Sequence, residues 1–171
     1  MRLFAALRAG LLISVLALAA GTSAWAAPAQ GQPVDGIGCD AMEGTRMHIH
    51  QHLALYAYGK PIEVPALIGI PGMGACYYWI HTHTPDGFIH VESPIYRDFD
   101  LGEFFDIWGE PLTPTNLAGV HVRKGQIHAY VDGRRYSGDP RTIPLVLHAD
   151  IVLEAGPPYF IPPPVTDWHG L

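Results

Sequence analysis

Residues 46–57 alternate in character along their whole length. A segment whose side chains switch with period two is suited to a strand that turns one face inward and the other outward. Here that rule sets Ile49, Leu53 and Leu55 on one face and His48, His50 and His52 on the other. Three imidazoles are thereby lined up by backbone geometry alone, and the rest of the chain must accommodate a strand that carries them.

Most of the chain beyond this strand is also β in character. After a turn at residues 58–61, residues 62–64 continue extended, and residues 66–70 read as a short apolar strand that stops at Pro71-Gly72. Residues 76–84 are rich in aromatic and other β-forming residues. Thr84-Pro85-Asp86-Gly87 has the proline and glycine positions of a tight turn, and residues 88–92 return as the partner strand. Asp132-Gly133 between residues 127–131 and 134–137 is a two-residue hairpin signal. Residues 145–154 supply one or two more strands.

One segment reads as helical. Leu101, Phe104, Phe105 and Trp108 fall at i, i+3, i+4 and i+7. Asp100 and Glu103 have the spacing of a capping box, and Gly109 and Pro111 end the segment. The expected fold class is all-β: a small antiparallel β-sandwich or barrel, of jelly-roll or cupin-like type, with one short helix.

The N-terminus carries a different kind of signal. Arg2 and Arg8, an apolar run over residues 9–20, and Ala24-Trp25-Ala26 have the layout of a secretory signal peptide, too short to be a permanent span. The expected organisation is a signal peptide at 1–26, a flexible lead-in at 27–38, a metal-binding β domain at 39–155 and a Pro-rich tail at 156–171. Removing residues 1–26 takes away two of the ten Lys and Arg and none of the sixteen acidic residues, which moves the formal charge from −6 to −8. An acidic chain without a basic stripe disfavours nucleic acid as a partner. No later apolar run is long enough for stable membrane insertion.

Cys39 and Cys76 are the only cysteines. In a secreted chain an even number favours a disulfide over a thiolate metal ligand.

The histidines carry the chemistry. There are ten of them, and six fall between His48 and His90. His81 and His83 repeat the i, i+2 spacing, sharing parity with Tyr77 and Trp79. His90 and Glu92 come after the turn. An i, i+2 pair on a strand can chelate one ion, and neutral imidazole suits copper, zinc, iron and nickel. A two- or four-residue loop sets His90 opposite His81, whereas a three-residue loop sets it opposite Thr82. The expected ligands are His50, His52, His81, His83 and His90, with His48 at an exposed edge. Glu92 is expected as a catalytic group, a further ligand or an acceptor for an imidazole N–H. His121, His128 and His148 read as structural or exposed, and His169 in the tail is expected to play no part in the site.

The stretch Cys-Tyr-Tyr-Trp-Ile-His-Thr-His at residues 76–83, together with Gly-Phe-Ile-His-Val-Glu at 87–92, resembles a pattern in uncharacterised secreted prokaryotic proteins. The similarity continues through residues 101–109 and includes residues 50–53, Gly59 and Lys60. It implies that these residues act together and implies no particular reaction. His81-Thr82-His83 also resembles the HxH metal motif of cupins. Cupins place a Glu four or five residues beyond the second His, where this chain has Gly87 and Phe88, so only the HxH pair carries over.

The functional expectation is a periplasmic or extracellular protein that binds one transition metal ion, copper before zinc or iron, at a mononuclear site. A site with an open position would serve as a copper-dependent oxidoreductase acting on a small-molecule substrate. The alternatives are a metal carrier or buffer and a small-molecule binding module.

Overall fold

A computed structural model describes residues 31–160 and 162–171 of the chain. Residues 1–26, expected as a signal peptide, lie outside the described residues. Strands β1 (Cys39–Asp40), β2 (Met47–Ala57), β3 (Lys60–Ile62), β4 (Tyr77–Tyr78), β5 (Ile80–His81) and β6 (Phe88–Ser93) precede helix α1 (Leu101–Trp108). After it come β7 (Leu112–Thr113), β8 (Asn116–Leu117), β9 (Val120–His121), β10 (Ile127–Val131), β11 (Arg134–Tyr136) and β12 (Asp150–Ala155). The all-β class with one helix is what the chain adopts.

The main sheet runs β11-β10-β12-β2-β6-β5, with β3 folded back on the far end of β2. It is mixed rather than purely antiparallel, because β12 pairs with β2 in parallel register and aligns Asp150 with His52 and Leu153 with Leu55. The antiparallel expectation fails there for a topological reason. β12 arrives from the other end of the chain, so no hairpin dictates its direction.

The two faces of this sheet differ as the alternation requires. Leu53, Leu55, Ile89, Val91, Ile151 and Leu153 point to one side and are buried together with Phe104 and Phe105 of α1. The helix is held as its sequence predicts. Asp100 accepts from the Glu103 backbone N–H, the Glu103 carboxylate accepts from the Asp100 N–H, and Gly109 closes the helix in the left-handed region. The Asp132-Gly133 hairpin also forms, with Val131 opposite Arg134.

Residues 66–70 are a turn, not the strand expected from their apolar composition. Leu67 and Gly69 both have positive φ. A Cβ on Gly69 would lie 2.6 Å from the Ile80 carbonyl oxygen, so close packing against β5 fixes that glycine. The turn is tied to Thr82, whose hydroxyl donates to the Pro65 carbonyl and accepts from the Ile68 N–H. The strand expected over residues 76–84 is likewise broken, into β4 and β5 with Trp79 between them.

Cys39 and Cys76 form the disulfide, with Cα atoms 5.3 Å apart. It fastens the β1–β4 pair, in which Cys39 faces Tyr78. Such a bond belongs to an oxidising, non-cytoplasmic environment. No helix among the described residues is long and apolar enough to cross a membrane.

Candidate metal centre

The face opposite the core carries the histidines, and the register of three strands decides which of them meet. β2 and β6 pair so that His48 faces Glu92, His50 faces His90 and His52 faces Phe88. β5 pairs with β6 so that His81 faces His90. The turn at residues 84–87 therefore gives the register that keeps His90 on the histidine face. His50, His90 and His81 form a row across three adjacent strands, with His90 in the middle.

Side-chain geometry tightens this row into a cluster. The Nε2 atoms of His48 and His50 are 3.0 Å apart, and those of His81 and His83 are 3.2 Å apart. The His90 ring is edge-on to those of His50 and His83, with centroids 4.5 Å away in each case. It stacks parallel to the His81 ring at 5.6 Å. The Glu92 carboxylate lies 3.0 Å from His48 Nε2 and 3.6 Å from His90 Nδ1. Two overlapping sets of donor atoms result, each with all members within 4.8 Å of one another: His48, His50, His90 and Glu92, and His81, His83, His90 and Glu92.

Two features mark these atoms as suited to a cation. The first is tautomeric. His81 Nδ1 is 2.8 Å from the Tyr78 carbonyl oxygen, which can only accept, so Nδ1 carries the proton and Nε2 presents its lone pair to the cluster. The second is an under-satisfied atom, since His90 Nδ1 is buried and makes no hydrogen bond among the described residues, with the Glu92 carboxylate as its nearest polar neighbour at 3.6 Å. A buried polar nitrogen without a hydrogen bond is costly, and a bound ion would satisfy it.

Electrostatics also favour neutral, ligand-ready imidazoles. Burial, then the fields of His90 and His48, pushes the His50 imidazole down to about 4. Burial does the same to His81, again to about 4, against the opposing pull of the Tyr78 carbonyl and Glu92. Glu92 moves the other way from what its burial alone would cause. Its contact with His90 and the fields of His81 and His48 outweigh desolvation and hold its carboxyl below the usual range.

His52 has the parity of its neighbours but a different partner. Its Nδ1 lies 2.9 Å from the Asp150 carboxylate on β12, and its ring packs on Phe88. It belongs to neither donor set. The chain's last residues cover this end of the row. The Val165 N–H donates to Asp150, and Trp168 packs on both Phe88 and His148. His48 and His83 stay open to solvent, with side chains 55% and 39% exposed.

Three placements depart from the spacing argument. His48, expected at an exposed edge, is exposed yet shares a donor set. Trp79 turns away from the cluster to donate to Asp40 and pack on Phe99, whereas Tyr77 lines a cavity of about 310 Å³ beside His83 and Glu43. Glu43 is a neighbour that strand parity does not reveal, with a carboxylate oxygen 3.5 Å from His83 Nε2 and 3.9 Å from His81 Nε2. Its one sequence signal is proximity to Cys39, because the disulfide brings that loop to the strand of His81. Of the remaining histidines, His128 stacks on Tyr159, and His121 lies on β9, in a separate small sheet.

No protein-family model, no curated protein and no solved structure matches this chain.

Proposed function

We propose that the protein is a secreted transition-metal-binding protein whose ion sits on His81, His83, His90 and Glu92, with copper the preferred metal. The observation that carries this reading is the convergence of His81 Nε2, with its lone pair fixed by the Tyr78 carbonyl, on His83 Nε2 beside an under-satisfied His90 Nδ1. An imidazole oriented by a carbonyl on its other nitrogen is a recurrent arrangement among metal ligands. A nitrogen-rich site in an oxidising compartment suits copper by donor type and affinity order, and zinc or iron fits the same donors less selectively.

The same geometry supports a reactive rather than a sealed site. His83 borders the cavity beside Tyr77, which gives a small molecule access to the ion. Copper there would supply one-electron redox or oxygen chemistry. This chain's own contribution is to hold neutral imidazoles in place and to keep Glu92 ionised beside them, where it binds the ion, orients His48 or moves a proton. The second reading, a metal carrier or buffer, is favoured by the exposure of His48 and His83, which leaves the ion within reach of a competing ligand.

One comparison separates the two. Copper-loaded protein is supplied with ascorbate and dioxygen while oxygen consumption is monitored, and in parallel is challenged with a copper chelator. Sustained turnover with slow loss of copper supports the oxidoreductase. Absence of turnover with rapid transfer of copper to the chelator supports the carrier.

A further inference from the structure

The cluster has more donors than one ion of this class requires. Structural zinc sites close with four protein ligands and catalytic ones keep three, whereas five imidazoles and the Glu92 carboxylate make up the two donor sets here, with the Glu43 carboxylate a further 3.5 Å from His83 Nε2. Their arrangement is also two-sided. His48 and His50 are on β2, His81 and His83 are on or just after β5, and β6 runs between them carrying His90 and Glu92. Adjacent strands are about 4.8 Å apart, so the two histidine pairs rise from backbones roughly 10 Å apart on either side of the shared residues.

Each pair has the bite of a chelate. Two nitrogens bound at about 2.0–2.1 Å to one tetrahedral ion are about 3.3 Å from each other. The Nε2–Nε2 separations are 3.0 Å for His48 and His50 and 3.2 Å for His81 and His83. Both donor sets contain His90 and Glu92. A carboxylate has two oxygens to serve both sides, and the His90 imidazole serves both only as imidazolate, its remaining N–H proton passing to solvent as the second ion binds.

We infer that the cluster holds two transition metal ions side by side, one on the His48–His50 pair and one on the His81–His83 pair, with Glu92 and His90 shared between them. The inference rests on the metal-binding reading above and adds a second ion to it. Glu92 is then the residue that couples the two halves. The exposed His48 and His83 are the outer ligand of each half.

The test is a titration of metal-stripped, untagged protein with Cu(II), read as bound copper per chain and as the integrated electron paramagnetic resonance signal. Two coppers per chain are expected, with an integrated signal well below two spins because the ions are coupled through the shared residues. His48→Ala and His83→Ala are each expected to bind one copper with a full single-spin signal. Both side chains are partly exposed, so neither substitution threatens the core, and circular dichroism checks that. Glu92→Gln is expected to weaken binding of the second copper by more than about tenfold. Saturation at one copper that His48→Ala leaves in place would overturn the second ion while sparing the first. Two coppers with independent signals would also overturn it, because the second would then lie elsewhere. Absence of any tightly bound copper would overturn both readings.

Discussion

The Tyr78 carbonyl receives the Nδ1 proton of His81 at 2.8 Å, three residues back along the same chain segment. This bond exists because β4 breaks at Trp79 before β5 begins, which turns the Tyr78 carbonyl under the imidazole. His81 is fully buried, so its ring has no water to exchange partners with. In the metal-stripped protein, long-range proton–nitrogen correlation spectra are therefore expected to show His81 solely as the Nδ1–H tautomer. An Nε2–H tautomer would show that the lone pair does not face the cluster.

The metal-free protein is expected to lose stability in mildly acidic solution. His50 and His81 have folded-state values of about 4, below the 6.5 of an unperturbed histidine. Above pH 6.5 both are neutral in the folded and unfolded chains, and their contribution does not change with pH. Between pH 6.5 and 4 the unfolded chain takes up protons that the folded chain refuses, so stability falls as pH falls. The loss levels off near pH 4, at up to about 3 kcal/mol for each residue. Denaturant melts between pH 7.5 and 4 check this, and a His50→Phe variant should flatten part of the slope.

Part of this site is legible in the sequence because strand parity is a local property. The period-two pattern around His48, His50 and His52 places three rings on one face, and the same rule pairs His81 with His83. What parity cannot supply is the partner across the sheet. His52 shares the face of His50, yet Asp150 of β12 engages it, and nothing near His52 signals that β12 pairs there in parallel. Glu43 reaches His83 from a loop with no periodicity. The turn at residues 66–70 has the apolar composition of a strand, but its residues pack inward around positive φ at Leu67 and Gly69, which composition does not signal. The α1 helix is legible to the residue because its stripe and its capping box are both encoded within one short segment.

The disulfide closes a loop with a sequence separation of 37 residues. On the chain-entropy account a loop of that length stabilises the fold by about 4 kcal/mol. A Cys39→Ser/Cys76→Ser variant is expected to lose about that much in chemical denaturation. It should also weaken metal binding, because the loop that carries Glu43 and the strand that leads to His81 are no longer fastened together. Unchanged stability on reduction would contradict this.

Gln51 lies between His50 and His52 but points into the core, fully buried, with neither its amide nitrogen nor its oxygen hydrogen-bonded among the described residues. An unsatisfied buried amide costs about 1–3 kcal/mol. Gln51→Met keeps the shape of the side chain and removes the polar atoms, and is expected to raise stability by about 1 kcal/mol without changing metal content. Thermal and denaturant melts check the first, and elemental analysis the second.

The face shared by β2, β6 and β5 is, on this reading, a metal centre. The most direct measurement is elemental analysis of the protein purified without a His-tag, beside a His81→Ala/His83→Ala variant that retains the wild-type circular dichroism. Bound copper in the wild type that falls by at least half in the variant is the predicted result. Metal content that is the same in both proteins, or absent from both after copper is supplied, would contradict it.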